Sequence, residues 1–205
     1  MAATAPKTLL MLAVLFLLAL LPRLYSAQTV GWHWDGPGSF TLVNFDEGGS
    51  CRAALGGFGY STFIGRQTIA LASLSGEPPP AGVHGNARAA KAWCQHPRHL
   101  MVARAYSAVT GALTAVLIAL IALQLVPALP GVAWTAGGLV ALSGFHIAES
   151  QSATVDAPST FFIYLFLAVL VYGVARGARG ALQLSPLFLV AAMWAKYWVF
   201  AALAY

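Results

Sequence analysis

The sequence predicts an all-α, polytopic membrane protein. About five transmembrane helices and a large extracytoplasmic first loop with short interfacial helices form one membrane domain over 1–205. Three observations carry this. Only 8% of the 205 residues are charged and 59% are hydrophobic, whereas a soluble domain carries about 25% charged residues. Apolar runs of roughly the length needed to cross a bilayer recur along the chain. Between the first two of them lies a long aromatic- and glycine-rich segment, too apolar for a disordered linker.

The net charge of +5 and a pI near 9.5 do not point to nucleic acid. No Lys/Arg run or basic helix face appears, so the excess suits lipid headgroups, anionic substrates or loop topology. Two cysteines, Cys51 and Cys94, are too few for a disulfide scaffold. Whether they are bonded to each other is left open.

The spans follow in order. The first covers about 8–25 (TLLMLAVLFLLALLPRLY). It is read as an anchor, because Tyr25 and Pro22-Arg23 suit a cleaved signal peptide poorly. The outer loop, 26–103, comes next. Within it, residues 50–74 suggest an interfacial helix that Gly56, Gly57 and Gly59 oppose. After GEPPPAG, NARAAKAWCQHPRHL reads as a second short basic helix.

The second and third spans are about 104–126 and about 131–148, separated by Pro127 and Pro130. The fourth, about 158–175, and the fifth, about 184–205, are separated by RGARG. Arg176, Arg179 and Lys7 favour the cytoplasmic side. That places both 26–103 and the polar stretch 149–157 outside a cell (inner) membrane.

Four segments carry a resemblance. FDEGG (45–49), QHPRHLMVARAYSAVTGALTAVLIAL (95–120), SGFHIAESQSATVDAPSTFFIYL (143–165) and LVAAMWAKYWVF (189–200) resemble, in order, motifs of the GT-C-type membrane glycosyltransferases. The branch is that of the protein O-mannosyltransferases and lipid A aminoarabinose transferases, and the similarity is to its amino-terminal half. It implies a transferase moving a sugar from a polyprenyl-phosphate donor to an extracytoplasmic acceptor. Members of the branch usually have more helices, so a fragment, a half-enzyme completed by a partner membrane chain and an inactive relic all fit.

The resemblance maps the family's catalytic first-loop aspartate onto Asp46 and its second acidic site onto Asp156. Displacing a polyprenyl phosphate from an anomeric carbon needs a carboxylate to deprotonate the incoming hydroxyl and cations to receive the leaving phosphate. Asp46 is therefore the expected base. Glu47 is expected to support it or to help hold a divalent metal, a cofactor left open. Arg52, Arg104 and Lys196 are the expected phosphate partners, with Glu149 at the edge of the site.

Plainer readings stand beside these. Asp46 and Glu47 suit the positive start of a helix, and Asp156 suits an N-cap before Pro158. Glu149 simply ends a span, and Arg104 snorkels at the membrane edge. Lys196 lies about 18 Å into the fifth span at 1.5 Å per residue, where lysine is costly and seeks an acid or a polar cavity. Cys94, His96, His99 and His84 form a weak zinc grouping. The alternative to an enzyme is a non-catalytic membrane subunit that binds partner helices or lipid. A transporter fits less well, for lack of intramembrane charges and repeats.

Overall fold

The computed structural model describes residues 5–31, 42, 44, 46–56 and 61–196, and its described elements are all helical. Their order is α1 Ala5–Thr29, α2 Gly49–Ala54, α3 Thr62–Leu74, α4 Ala87–Cys94, α5 Pro97–Leu125, α6 Pro130–Leu142, α7 Gly144–Ser150, α8 Asp156–Arg176 and α9 Arg179–Ala195. Three of them, α1, α5 and α8, are long and apolar enough to cross a membrane. The pair α6–α7, bent by 57°, makes a fourth if it is one span.

Helix α5 is the central post. It packs on α1, α6 and α8, and α8 packs on α9. Small residues let these backbones approach: Ala19, Ala112, Ala115 and Ala141 form one buried cluster. Met11 and Leu15 of α1 meet Ala119 of α5 and Ala133 of α6 toward the other end. In lipid such close packing replaces the hydrophobic effect as the glue between helices. The chain reverses between α8 and α9 at Gly177, whose φ of +63° closes the helix end.

Besides the second span, which begins at Pro97 rather than about 104, the expected boundaries shift in two places. The third span is not one straight helix. Ser143 leaves helical geometry, and its side chain caps α7 by accepting from His146 N–H at 3.4 Å. The bend frees carbonyls at the end of α6, and Arg23 answers them. Its Nη1 donates to Ala19 O and Ala141 O at 2.6 and 2.9 Å, and its Nη2 donates to Val140 O at 3.0 Å. Nη2 also lies 2.9 Å from His146 Nδ1. Arg23 is fully buried, so this arginine caps a broken helix from a neighbouring one. Arg23→Met is expected to lower the Tm by several degrees in detergent. It removes the donor to Ala141 O and leaves Val140 O with only the 3.4 Å bond from Ser143 N–H, and a buried carbonyl without a donor costs about 1–3 kcal/mol.

The second shift concerns α9. It begins at Arg179, five residues before the expected span, and its described part ends at Ala195. The remainder of that expected span, 197–205, lies outside the described residues. Lys196 is the C-cap of the described α9, and it reaches Asp156, the first residue of α8. The hydropathy onset at 184 concealed the polar but helical turn 179–183.

An outer layer of short helices covers one end of the bundle. The expected helix over 50–74 is two helices, α2 and α3, broken at Gly56, where φ is +93°. Helix α3 crosses the start of α2 so closely that a Cβ on Gly65 would sit 2.0 Å from Ser50 O. Ser50 Oγ receives Gly65 N–H at 2.7 Å and donates to Ser61 O at 2.6 Å. A disulfide between Cys51 and Cys94, with Cα atoms 5.8 Å apart, joins α2 to α4. It removes Cys94 from the zinc grouping, and no group of three or more His, Cys, Asp or Glu among the described residues is placed to hold a metal. Replacing both cysteines by serine should cost about 4 kcal/mol for a loop of this length. Thermal unfolding with and without reductant measures it.

Candidate functional site

The site is built where three parts of the chain meet: the Asn44–Gly48 turn, the first turns of α5 and the α7–α8 junction. Asn44 Oδ1 accepts from Asp46 N–H at 2.9 Å, which shapes a local turn. Asp46 O then accepts from Gly49 N–H at 2.9 Å, and α2 begins. Gly48 takes φ +77° at the N-cap of α2, and a Cβ there would lie 2.9 Å from Cys94 O. Only glycine passes this corner without strain. The turn leaves Asp46 half-buried and turns Glu47 fully inward.

Glu47 is the centre of a buried network. Arg104 Nε donates to Glu47 Oε1 at 2.7 Å and Arg104 Nη2 to Glu47 Oε2 at 2.8 Å, a bidentate pair with neither side chain exposed. Oε1 also accepts Ala153 N–H at 2.9 Å. The remaining nitrogen, Arg104 Nη1, donates to Val30 O at 2.7 Å and to Ala27 O at 3.4 Å. One ion pair thus ties the end of α1, the first outer segment, α5 and the 151–155 junction together. A planar guanidinium suits this task because its fixed fork matches a carboxylate and still leaves a donor for backbone carbonyls.

The expected acidic segments, 46–47 and 149–156, therefore meet at one end of the bundle. Ser26 Oγ donates to Gln151 Oε1 beside the network. Behind it, a small cavity is lined by Gly48, His99, Ser107, Ala153 and Thr154.

The second pair lies at the same end. Asp156 is the first residue of α8, with Val155 as its N-cap, so Asp156 does not cap the helix. Its carboxylate pairs with Lys196 Nζ, and both side chains stay partly exposed, at 33% and 20%. Helices α8 and α9 are antiparallel neighbours, which returns the end of α9 to the start of α8.

The other expected residues divide. Arg104 is wholly buried on Glu47. Arg52 is half-buried on α2, and its Nε is shielded from solvent without a hydrogen-bond partner. Glu149 is half-buried at the end of α7. Three hydrogen bonds from Arg104 and Ala153 already fall on the Glu47 carboxylate.

One cation was not legible as a site candidate. Arg66 is exposed on α3 and lines a cavity of about 90 Å³ with Ser61, Thr62, Phe63 and Trp194. Phe63 packs near Trp194 and Phe162, with ring centroids 6.0 and 5.5 Å away. An arginine lining an aromatic cavity with Trp194 of α9 combines a cation with apolar walls. One local sign in the sequence pointed this way: Arg66 lies three residues after Phe63 on a helix, hence on the same face.

Comparison with known proteins adds one finding. The family model described as dolichyl-phosphate-mannose-protein mannosyltransferase matches residues 65–205. Arg66, Arg104, the 149–157 junction and Lys196 fall inside that range, whereas Asp46 and Glu47 precede it. No curated protein and no solved structure matches the chain.

Proposed function

This chain belongs to the dolichyl-phosphate-mannose-protein mannosyltransferase family, and from that premise we propose that it moves a mannosyl unit from a polyprenyl-phosphate donor to a hydroxyl acceptor. The reaction would take place at the outer-layer end of the bundle. The observation that carries the reading is the contact of Glu47 with both Arg104 and Ala153. It brings the first outer segment onto the α7–α8 junction, with Asp46 half-buried next to Glu47.

In this reading Asp46 is the general base. Its carboxylate takes the proton of the acceptor hydroxyl as that oxygen attacks the anomeric carbon. The new C–O bond forms as the bond to the phosphate oxygen breaks, with inversion, and the polyprenyl phosphate leaves with the electron pair. Arg66 and Arg52 would face the leaving group at headgroup depth, and Lys196 would do so by turning from its Asp156 partner toward the phosphate. Arginine is suited to phosphate by its bidentate fork, and lysine acts as a point charge. The aromatic walls around Phe63 and Trp194 would receive the first units of the prenyl chain. Glu47 and Arg104 position Asp46 and do not touch the sugar.

The orientation follows the same logic. Lys7, Arg176 and Arg179 lie at the opposite end of the bundle from the outer layer, which fits a cytoplasmic side under the positive-inside rule. The outer layer would then face the oxidising compartment that a Cys51–Cys94 disulfide requires.

The test is donor binding. The chain in lipid nanodiscs is titrated with dolichyl-phosphate-mannose. Arg66→Ala is expected to weaken binding about tenfold or more, since a hydrogen bond to a charged group is worth about 1.5–3 kcal/mol. Undiminished binding by Arg66→Ala would remove this cation from the donor site. Absence of binding by the parent chain, alone and with its membrane partners, would favour a non-catalytic subunit.

A further inference from the structure

A second cleft, of about 550 Å³, opens in the outer layer where the turn after α3 faces the corner between α4 and α5. Its walls are set by the fold. Helix α3 closes with Gly76 N–H on Ser73 O at 3.1 Å and Glu77 N–H on Ala72 O at 2.9 Å, with Gly76 at φ +89°. This paired closure fixes the direction of Glu77. Pro78, Pro79 and Pro80 follow and stiffen the wall. On the facing side, Trp93 precedes the disulfide cysteine Cys94, and His96 caps α5.

The chemistry of the lining is mixed in a specific way. The Trp93 indole packs on the His99 imidazole, with ring centroids 4.4 Å apart. Arg98 Nη1 donates to Glu77 Oε1 at 2.6 Å, and these side chains remain 71% and 36% exposed. So exposed a pair adds little to stability. His96 is exposed at the same cleft. His99, also in the lining, is 1% exposed, and neither of its nitrogens has a hydrogen-bond partner.

We propose that this cleft binds a single neutral hexose unit of a glycan, apart from the transfer site. A pyranose has an apolar C–H face, which suits an indole, and an edge of hydroxyls that each donate and accept. The Glu77–Arg98 pair offers an acceptor and a donor side by side, and His96 can supply either. A charged ligand is disfavoured: an anion meets Glu77 and a cation meets Arg98. An extended peptide is also disfavoured, because the proline wall has no N–H with which to pair a peptide backbone. The volume lies within the usual range of small-molecule sites. The assignment stands whether or not Asp46 transfers sugar.

The test uses the full chain in nanodiscs, titrated with methyl α-D-mannopyranoside and read by saturation-transfer NMR. A saturable signal is expected. Glu77→Gln and Trp93→Ala should each weaken it on the order of tenfold, the scale of one charge-assisted hydrogen bond. Asp46→Asn and Arg66→Ala should leave it unchanged. Glu77 is at the surface, so its variant reads the site even if Trp93→Ala fails to fold. No saturable signal, a signal indifferent to Glu77→Gln, or a signal lost in Asp46→Asn would overturn the proposal. So would a proline-rich peptide that occupies the cleft while the glycoside does not.

Discussion

Asp46→Asn is expected to lower the rate of mannosyl transfer by roughly 10²–10⁴-fold, the usual contribution of a positioned general base. Asparagine keeps the size and the local turn, since the turn uses the backbone of residue 46 and the side chain of Asn44. Donor affinity and thermal stability should therefore change little. The assay is transfer of labelled mannose from dolichyl-phosphate-mannose in membranes carrying the parent or the variant chain. A rate equal to the parent's would strike Asp46 from the reaction. A matching loss of donor binding would instead make it a binding group.

The other large effect concerns the buried ion pair. Glu47→Gln or Arg104→Met removes one partner and strands the other in a site closed to solvent. Such truncations cost about 3–5 kcal/mol. Because Glu47 also holds Ala153 N–H and Arg104 also holds Val30 O, the loss should spread to the whole outer layer. Activity should fall with it, through kcat more than KM, since the pair touches no substrate.

The double change Glu47→Leu with Arg104→Met separates the two roles. Replacing a buried pair by well-packed apolar side chains is often neutral or stabilising, so the Tm should largely recover. Transfer should not recover, because the tie between Asp46 and the α7–α8 junction is gone. Full rescue of both would show that the pair supports stability alone.

How far the sequence could be read follows from which forces act locally. The long helices α5 and α8 were visible because an unbroken apolar run between prolines or glycines admits few other structures in lipid. The meeting of the first outer segment with the 149–157 stretch was anticipated from the order of the four motifs, and the Glu47–Ala153 bond supplies the contact itself. Its agent was hidden. Arg104 looked like a phosphate ligand because a basic residue at a membrane edge has the same local signature whether it faces lipid or a buried carboxylate 57 residues away.

The same limit explains Arg23 and Lys196. Nothing near Arg23 in the chain announces that it will cap α6, since those carbonyls are 117 and 118 residues on and are freed only by the bend at Ser143. Lys196 looked deep because hydropathy placed the start of its helix too late. Once α9 begins at Arg179, the same residue reaches the level of Asp156. The Cys51–Cys94 bond depended on a distance that α2 and α4 set only after folding. Arg66 escaped because Trp194, which lines the same cavity, comes from the last described helix.

The most direct measurement is a structure of the chain in lipid with dolichyl-phosphate-mannose bound. The donor phosphate should lie within hydrogen-bond reach of Arg66, Arg52 or Lys196, with its anomeric carbon facing Asp46. A phosphate bound at the other end of the bundle, beside Arg176 and Arg179, would contradict the placement of the reaction at the Glu47–Arg104 junction.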